Sequence, residues 1–341
     1  MKKEKVLLTG VTGFLGSHTT IQLLNKGYEV IGTLRNMNRS DAIKQIIAKN
    51  TPNINSLSFA EADLMDQEIW NDLTKEVDYV MHIASPFPRE LPKHEDDLII
   101  PAKEGTLNIL KASAKNNIKR VILTSSTGSI VYGKEKSNRS GVYTENDWTD
   151  VTNKKDTTPY FRSKTIAEQA AWDFIKTNNT KLELTTICPG AILGPVLEKD
   201  FGTSANIVIK MIDGKSPALP KLGFEIVDVR SAADLHIKAM ESPKASGERF
   251  AAVAGFLSFK ELAAILREKF PNKKIPKTIL PNFAVRLFSN IDKTLKPILI
   301  DLGMERKIDN SKAKQLLNWQ PISNNEAIVA CAQSIVNLDI L

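Results

Sequence analysis

A glycine-rich turn close to the first residue constrains the fold more than any other feature of this sequence. Gly10, Gly13 and Gly16 have the spacing G-x-x-G-x-x-G, between an apolar run at residues 6–8 and a helical pattern that ends at Gly27. Glycine permits a tight turn and lets backbone N–H groups approach a pyrophosphate, which the positive N-terminus of the following helix attracts. The strand–turn–helix context therefore predicts a dinucleotide site rather than an ordinary turn. The predicted contacts are Gly10, Thr12, Gly13, Phe14, Leu15 and Gly16.

Short apolar runs alternate with longer segments of helical patterning over the first half of the chain. Apolar runs of this length are typical of strands that are buried in a parallel sheet. Their alternation with helices predicts an α/β fold with a doubly wound parallel (Rossmann) sheet. The strands are predicted at residues 6–8, 28–34, 79–83, 120–124 and 184–188, with helices such as 101–115 and 163–176 between them.

The regular alternation ends near residue 190. Turn signals then become frequent, and the tail from residue 256 is mainly helical with proline breaks. We therefore predict a Rossmann domain at residues 1–190, to which residues 226–250 return. A smaller, mainly helical substrate-binding region is expected at residues 191–225 and 251–341.

The composition excludes several classes of protein. The net charge of +7 is spread over the chain without any block of five Lys or Arg residues, so we expect no nucleic-acid partner. Cys188 and Cys331 form neither a zinc motif nor a disulfide framework, which favours a cytoplasmic protein without a metal. The longest stretch without Asp, Glu, Lys or Arg, residues 6–25, is too polar to span a membrane and lacks a signal-peptide cleavage site.

The end of the second predicted strand indicates which dinucleotide binds. NAD sites place a carboxylate there for the ribose 2′-hydroxyl, whereas an arginine accommodates a 2′-phosphate. This chain has Arg35 at that point and Arg39 four residues later, with no acidic residue before Asp41. A guanidinium makes charge-assisted, bidentate bonds to phosphate, so the pattern favours NADP(H), although Arg35 as a plain surface charge is the alternative.

A tyrosine and a lysine four residues apart form the third motif. On a helix, Tyr160 and Lys164 share one face, and an ammonium beside a phenol lowers the phenol pKa from about 10. Such a phenol can exchange a proton with a substrate oxygen. Ser126 lies in a Thr-Ser-Ser stretch that ends a predicted strand between the glycine turn and this pair. A surface Tyr–Lys pair is the alternative interpretation.

Together these motifs give the chain a specific family resemblance. It resembles the extended short-chain dehydrogenases/reductases, in particular the group of dihydroflavonol reductase, cinnamoyl-CoA reductase and the microbial NADPH-dependent aldehyde and ketone reductases. The matching stretches span nearly the whole length, from residues 9–17 to residues 309–311. The resemblance implies further cofactor contacts: Asp63 and Leu64 at the adenine, Ile83, Ala84, Ser85 and Thr124 along the dinucleotide, and Pro189 and Gly190 beside the nicotinamide.

The same resemblance implies an activity, the NADPH-dependent reduction of a small-molecule aldehyde or ketone. Tyr160 would donate the proton, Lys164 would lower the pKa of that phenol and bond the nicotinamide ribose, and Ser126 would hold the carbonyl oxygen. Two departures from the family pattern stand out. Asp41 lies in the region where related reductases often have a second, lysine contact to the 2′-phosphate, and Ser231 replaces the aspartate of a common Val-Arg-Asp sequence.

Two other functions share parts of these motifs. A sugar-nucleotide epimerase or dehydratase would hold NAD tightly, and Arg35 argues against it; an NADP-sensing module would lack Tyr160 or Lys164.

Asn108 is predicted either to hold a water molecule or to pack a helix. The substrate is expected to be a modest hydrophobic carbonyl compound, and the protein a monomer or homodimer. The apolar lining is predicted from Pro86, Phe87, Pro88, Ile130, Tyr132 and Phe201.

Overall fold

The computed structural model describes residues 3–86, 94–199, 202–291 and 293–341. Phe87, Pro88 and Phe201, which were predicted to line the substrate pocket, lie outside these residues. The strands are β1 (Lys5–Thr9), β2 (Glu29–Leu34), β3 (Leu57–Glu61), β4 (Tyr79–His82), β5 (Arg120–Thr124), β6 (Gly141–Tyr143), β7 (Glu183–Pro189), β8 (Ala191–Leu193), β9 (Leu219–Pro220), β10 (Gly223–Asp228), β11 (Arg249–Ala252), β12 (Gly255–Ser258), β13 (Ile279–Leu280) and β14 (Arg306–Ile308). The helices are α1 (Phe14–Asn25), α2 (Ser40–Ala48), α3 (Gln67–Leu73), α4 (Asp96–Lys115), α5 (Pro159–Thr177), α6 (Ala205–Ile212), α7 (Val229–Glu241), α8 (Phe259–Lys269), α9 (Asn282–Phe288), α10 (Ser311–Leu317) and α11 (Asn324–Asn337).

A seven-stranded parallel sheet forms the centre of the described structure. Its strand order is β11-β7-β5-β4-β1-β2-β3, so the chain builds one half outward from β1 and then returns to build the other half from β4. The order reverses between β1 and β4, and ligands of such sheets bind at the carboxyl ends of the strands at this point. The prediction of a doubly wound Rossmann sheet is confirmed. Two of its strands, β3 and β11, were not predicted.

Both faces of the sheet are covered. Val6 and Leu8 of β1 are buried in one apolar cluster with residues of α1 and α7, while Leu7 is buried in a second cluster with residues of α3 and α4. Successive side chains of a strand point to opposite faces, so an uninterrupted apolar run fits a strand that is buried on both sides.

A smaller sheet lies beyond the end of β7. In this sheet β10 pairs in parallel with β8 and antiparallel with β12, and helices α6, α8 and α11 contribute to the apolar cluster beside it. The chain then returns to the central sheet through α7, which packs against α1, and through β11, which extends the edge at β7.

The structure gives Ser231 a structural role. Its hydroxyl accepts a hydrogen bond from the Ile322 backbone N–H at 2.8 Å, and its carbonyl accepts one from Trp319 Nε1 at 3.0 Å. Trp319 is fully buried in the cluster with α1 and α7. Ser231 therefore fastens the C-terminal segment to α7.

Candidate functional site

The glycine turn between β1 and α1 has no room for side chains at two of its glycines. Gly10 has a φ of +77°, and a β-carbon there would lie 3.0 Å from the Cα of Ala84. A β-carbon on Gly16 would lie 2.0 Å from the carbonyl oxygen of Gly10. Because the first N–H groups of α1 have no partner within the helix, this compact turn presents them to a ligand. The turn therefore fits the pyrophosphate of a dinucleotide.

Hydrogen bonds hold the ends of β1 and β4 together beside this turn. Thr9 Oγ1 accepts from the backbone N–H of Ala84 at 3.0 Å and lies 2.8 Å from His82 Nδ1. Burial lowers the pKa of His82 to about 3, and the nearby charge of Lys164 acts in the same direction. His82 is therefore a neutral structural residue that supports the switch point of the sheet.

The predicted adenine contacts lie at the carboxyl edge of the sheet. The exposed side chain of Asp63 accepts from the Met65 backbone N–H at 2.8 Å. Leu64 is held from α4, because Asn108 Nδ2 donates to its carbonyl oxygen at 3.1 Å and a β-carbon on Gly105 would lie 2.9 Å from the Leu64 Cβ. Of the two roles predicted for Asn108, the structure shows the packing role.

Five of the predicted cofactor contacts meet around one cavity. It opens at the carboxyl ends of β4 and β5, between α4 and α5. The lining includes Leu64, Ala84, Ser85, Pro86, Thr124 and Lys164.

The two arginines that follow β2 differ in their surroundings. Arg35 is exposed, and its side chain makes no hydrogen bond or ion pair with any residue that the structure describes. Arg39 pairs with Glu198 at 3.3 Å. Glu198 belongs to a segment, residues 196–198, that lines a small cavity together with Thr12 of the glycine turn. Arg35 is therefore an exposed cation at the end of β2, where the 2′-phosphate was predicted.

Tyr160 and Lys164 lie in the first turns of α5, as the spacing predicted. Helix α5 begins at Pro159, and the Thr158 side chain caps it by accepting from the Phe161 backbone N–H at 3.3 Å. Lys164 is buried, and its Nζ donates to the carbonyl oxygen of Thr124 at 3.1 Å. This bond ties the helix to the end of β5.

The pKa of Tyr160 differs from the expectation. Burial raises the pKa of Tyr160 above its usual value of 10.0. The Ser126 side chain acts in the opposite direction and offsets only part of this rise. Burial also lowers the pKa of Lys164 to about 8, while Glu168 acts to raise it. The predicted low pKa of the Tyr160 phenol is wrong: the net shift is upward, because burial dominates at both residues.

Three hydroxyl groups at the end of β5 point in different directions. Thr124 Oγ1 lies 2.8 Å from His236 Nε2, and Ser125 Oγ donates to Glu168 Oε2 at 2.6 Å. Ser126 Oγ accepts from the Gly128 backbone N–H at 3.0 Å, and the Ser126 side chain acts on the Tyr160 phenol by lowering its pKa. Of these three side chains, Ser126 is the one that meets Tyr160.

The remaining predicted contacts lie on or behind the same edge. Gly190 follows the end of β7, and a β-carbon there would lie 2.4 Å from the carbonyl oxygen of Glu225. Ile130 and Tyr132, which were predicted to line the pocket, are buried in an apolar cluster. The Tyr132 ring stacks on Phe161 at a centroid distance of 3.8 Å, so these two residues support the site from the core.

The sequence analysis missed a buried ion pair behind these residues. Glu168 and Arg249 pair at 2.7 Å, and both are buried. Glu168 follows Lys164 by four residues, as Lys164 follows Tyr160, so the helical spacing was the signal that could have found it.

Among the described residues, no cluster of three or more His, Cys, Asp or Glu residues could hold a metal ion. Within the same residues, no helix combines the length and the apolar character that crossing a membrane requires.

A family comparison agrees with this geometry. Residues 6–253 match the model of the NAD dependent epimerase/dehydratase family. The chain belongs to this family. The match runs from the second residue of β1 to the residue after β11, and it therefore includes residues of all seven strands of the central sheet.

Relatives with assigned names are similar over nearly the full length. The chain is 30% identical to a cinnamoyl-CoA reductase of Medicago truncatula, over 92% of this chain and 97% of the relative. It is 31% identical to a dihydroflavonol 4-reductase of Gerbera hybrida, over 94% of this chain and 89% of the relative. A crystal structure of the yeast methylglyoxal/isovaleraldehyde reductase Gre2, complexed with NADPH, is similar with a TM-score of 0.82 and 27% identity, covering 98% of this chain and 99% of that one.

These comparisons confirm the predicted resemblance to the extended reductases. The protein is an oxidoreductase of the NAD(P)-dependent epimerase/dehydratase superfamily. The predicted NADP(H) cofactor agrees with the NADPH in the Gre2 structure.

Proposed function

We propose that this protein reduces an aldehyde or ketone to the alcohol with NADPH, and that Tyr160 donates the proton. The observation that carries the proposal is that the Ser126 side chain acts on the Tyr160 phenol, whose pKa it lowers, with Lys164 one helical turn farther along α5. These three side chains lie at the carboxyl edge of the sheet, where the glycine turn also lies.

The residues that would hold NADPH are distributed along this edge. The N–H groups after Gly13 would bind the pyrophosphate, Arg35 the 2′-phosphate, and Lys164 the nicotinamide ribose. When bound, NADPH supplies a hydride for the carbonyl carbon. The protein's part is to orient the substrate and to supply the proton.

Each of the three side chains has a separate task at the substrate oxygen. Ser126 donates a hydrogen bond to the carbonyl oxygen, which stabilises the negative charge that develops there. Tyr160 transfers its phenolic proton to this oxygen. The charge of Lys164 stabilises the phenolate that remains. Because burial keeps the pKa of Tyr160 above 10.0, the phenol carries its proton at neutral pH and is ready for reduction.

The relatives indicate where a substrate search should begin. Gre2 is named as a reductase of methylglyoxal and isovaleraldehyde, and Pro86 contributes apolar surface to the cavity beside Lys164. We therefore propose a small carbonyl compound with an apolar substituent. The second region of the chain, residues 191–225 and 251–341, would form the other side of the substrate pocket.

The test is a panel of aldehydes and ketones, assayed for oxidation of NADPH and separately of NADH. The panel starts with methylglyoxal and isovaleraldehyde, and Tyr160→Phe is the control because it keeps the ring and removes only the hydroxyl. We expect NADPH oxidation with stoichiometric alcohol formation. Two results together would refute the proposal and favour an epimerase or dehydratase: the purified protein retains bound NAD, and it does not oxidise NADPH with any carbonyl compound of the panel.

A further inference from the structure

One face of α5 carries a third polar residue beyond the two that are proposed for the reaction. Tyr160, Lys164 and Glu168 are spaced by four residues each. Side chains with this spacing lie above one another on a helix. Glu168 is only 1% exposed, and it forms part of the inner wall of the cavity beside Lys164.

Four short hydrogen bonds reach the carboxylate of Glu168. Its Oε1 accepts from Arg249 Nε and from Thr186 Oγ1, both at 2.7 Å. Its Oε2 accepts from Ser125 Oγ and from Ser129 Oγ, both at 2.6 Å. Each oxygen therefore has two short bonds, and Arg249 Nη2 also donates to Oε2 at 3.2 Å.

The two serines lie on either side of Ser126. Ser125 precedes it, and Ser129 closes the turn by donating its backbone N–H to the Ser126 carbonyl oxygen at 2.9 Å. The same turn packs closely on α5, because a β-carbon on Gly128 would lie 2.4 Å from a ring carbon of Phe161. Glu168 thus binds the turn at two points and fixes the position of Ser126 relative to Tyr160.

Arg249 extends this arrangement to the segment that precedes α5. Arg249 Nη1 donates to the carbonyl oxygens of Glu145 and Asp147, the latter at 3.0 Å. Its guanidinium also lies over the ring of Trp148, 3.6 Å from the centroid. The ion pair therefore joins α5 to β11. Through the hydrogen bonds of its two side chains it also reaches β7, the turn at residues 125–129 and the segment at residues 145–148.

We propose that Glu168 is a positioning residue, which fixes the place of Ser126 beside Tyr160 from the inner wall of the cavity. This inference rests on the proposed function. A buried ion pair is weak evidence for stability, because apolar residues of similar volume often serve equally well. The arrangement of donors on both sides of Ser126 is what points to a role in the reaction.

Glu168 also faces the ammonium of Lys164. The titratable groups around Lys164 are His82 on β4, Glu168 on its own helix and Cys188 on β7, and Arg249 on β11 neutralises much of the charge of Glu168. A change at Glu168 itself would alter Lys164 and leave Arg249 buried without a counter-charge. The informative variants are therefore those that keep the ion pair.

The test compares hydroxyl groups that donate to the same carboxylate. Ser129→Ala and the double variant Ser125→Ala/Ser129→Ala release the turn from Glu168, whereas Thr186→Val removes an equal bond on β7 and leaves the turn attached. A misplacement of about 1 Å can cost on the order of 100-fold in rate, so we expect kcat to fall by about 5- to 100-fold in the serine variants. In Thr186→Val kcat should stay within about twofold of wild type, because this variant keeps the hydrogen bonds that attach the turn at residues 125–129 to Glu168.

Three further measurements separate positioning from general destabilisation. NADPH affinity, measured by fluorescence, and the KM for the carbonyl compound should be unchanged in the serine variants. The solvent deuterium isotope effect on kcat should increase, because proton transfer becomes slower. Thermal unfolding of the serine variants and of Thr186→Val gives the matched stability control.

The outcomes distinguish this inference from the proposed function. If Tyr160→Phe abolishes reduction but the serine variants behave like Thr186→Val, Glu168 has only a structural role and the inference is overturned. If Tyr160→Phe reduces carbonyl compounds normally, the proposed function itself fails. A kcat loss confined to the serine variants, with NADPH affinity intact, supports both.

Discussion

Replacing Arg35 by aspartate is the sharpest test of cofactor choice. The Arg35 side chain is exposed at the end of β2, where an NAD site would have a carboxylate. Its contact with a 2′-phosphate would be charge-assisted but open to water, which places its contribution near the lower end of the range, about 1.5 kcal/mol. That energy corresponds to about a 12-fold preference, since about 1.4 kcal/mol is a factor of ten.

An aspartate at this position adds repulsion to the lost bond. Two like charges about 4 Å apart in water repel by about 1 kcal/mol, a further factor of about five. Arg35→Asp should therefore lower kcat/KM for NADPH by about 60-fold and leave kcat/KM for NADH nearly unchanged. Arg39→Gln is the matched control, because Arg39 already pairs with Glu198, and it should cost much less.

The assay is initial-rate NADPH and NADH oxidation with one carbonyl compound at fixed ionic strength. Ionic strength matters because salt screens exposed charges over about 8–10 Å at physiological concentration. Equal use of both cofactors by the wild-type protein would refute the reasoning. An equal loss of activity with NADPH and NADH in Arg35→Asp would refute it as well, since NADH has no 2′-phosphate.

Three other predictions concern proton transfer and use the same assay. Tyr160→Phe should lower kcat by about 10²- to 10⁴-fold with NADPH affinity nearly intact, because positioned acid catalysis contributes about that much; a near-wild-type rate would contradict the assignment. Ser126→Ala should cost more in kcat than Ser125→Ala, since Ser126 contacts the phenol directly, and the reverse order would show that the wrong serine was assigned. A pH profile should show kcat/KM for reduction falling above about pH 8, because the buried Lys164 has a pKa of about 8 and loses its charge there while Tyr160 stays protonated; a flat profile up to pH 10 would contradict this.

Features that depend on neighbouring residues were predictable from the sequence. The glycine turn and its helix were recognised from short spacings, and so was the common helical face of Tyr160 and Lys164. The predicted strands were those with continuous apolar runs, which both-sided burial requires. Local geometry fixes all of these features.

Features that depend on distant partners were missed or wrong. In β3, Leu57 is buried but its neighbours are partly exposed, as an edge strand allows, so the segment has no apolar run. Strand β11 begins with Arg249, whose burial depends on Glu168, 81 residues earlier, and on the carbonyl oxygens of Glu145 and Asp147. The pKa of Tyr160 was misjudged because the sequence cannot show that Lys164 Nζ bonds to the Thr124 carbonyl or how deeply both side chains are buried.

The position of β11 at the edge of the sheet sets the order in which a growing chain can assemble. Helix α5 leaves the ribosome with Glu168 well before Arg249 is synthesised, and a carboxylate without its counter-charge strongly disfavours a dry interior. We expect the turn at Ser126 to pack stably against α5 only after that arginine is synthesised, since Arg249 supplies the counter-charge of Glu168. Closure of the sheet edge and completion of the candidate site are then expected to occur together, late in synthesis of the chain.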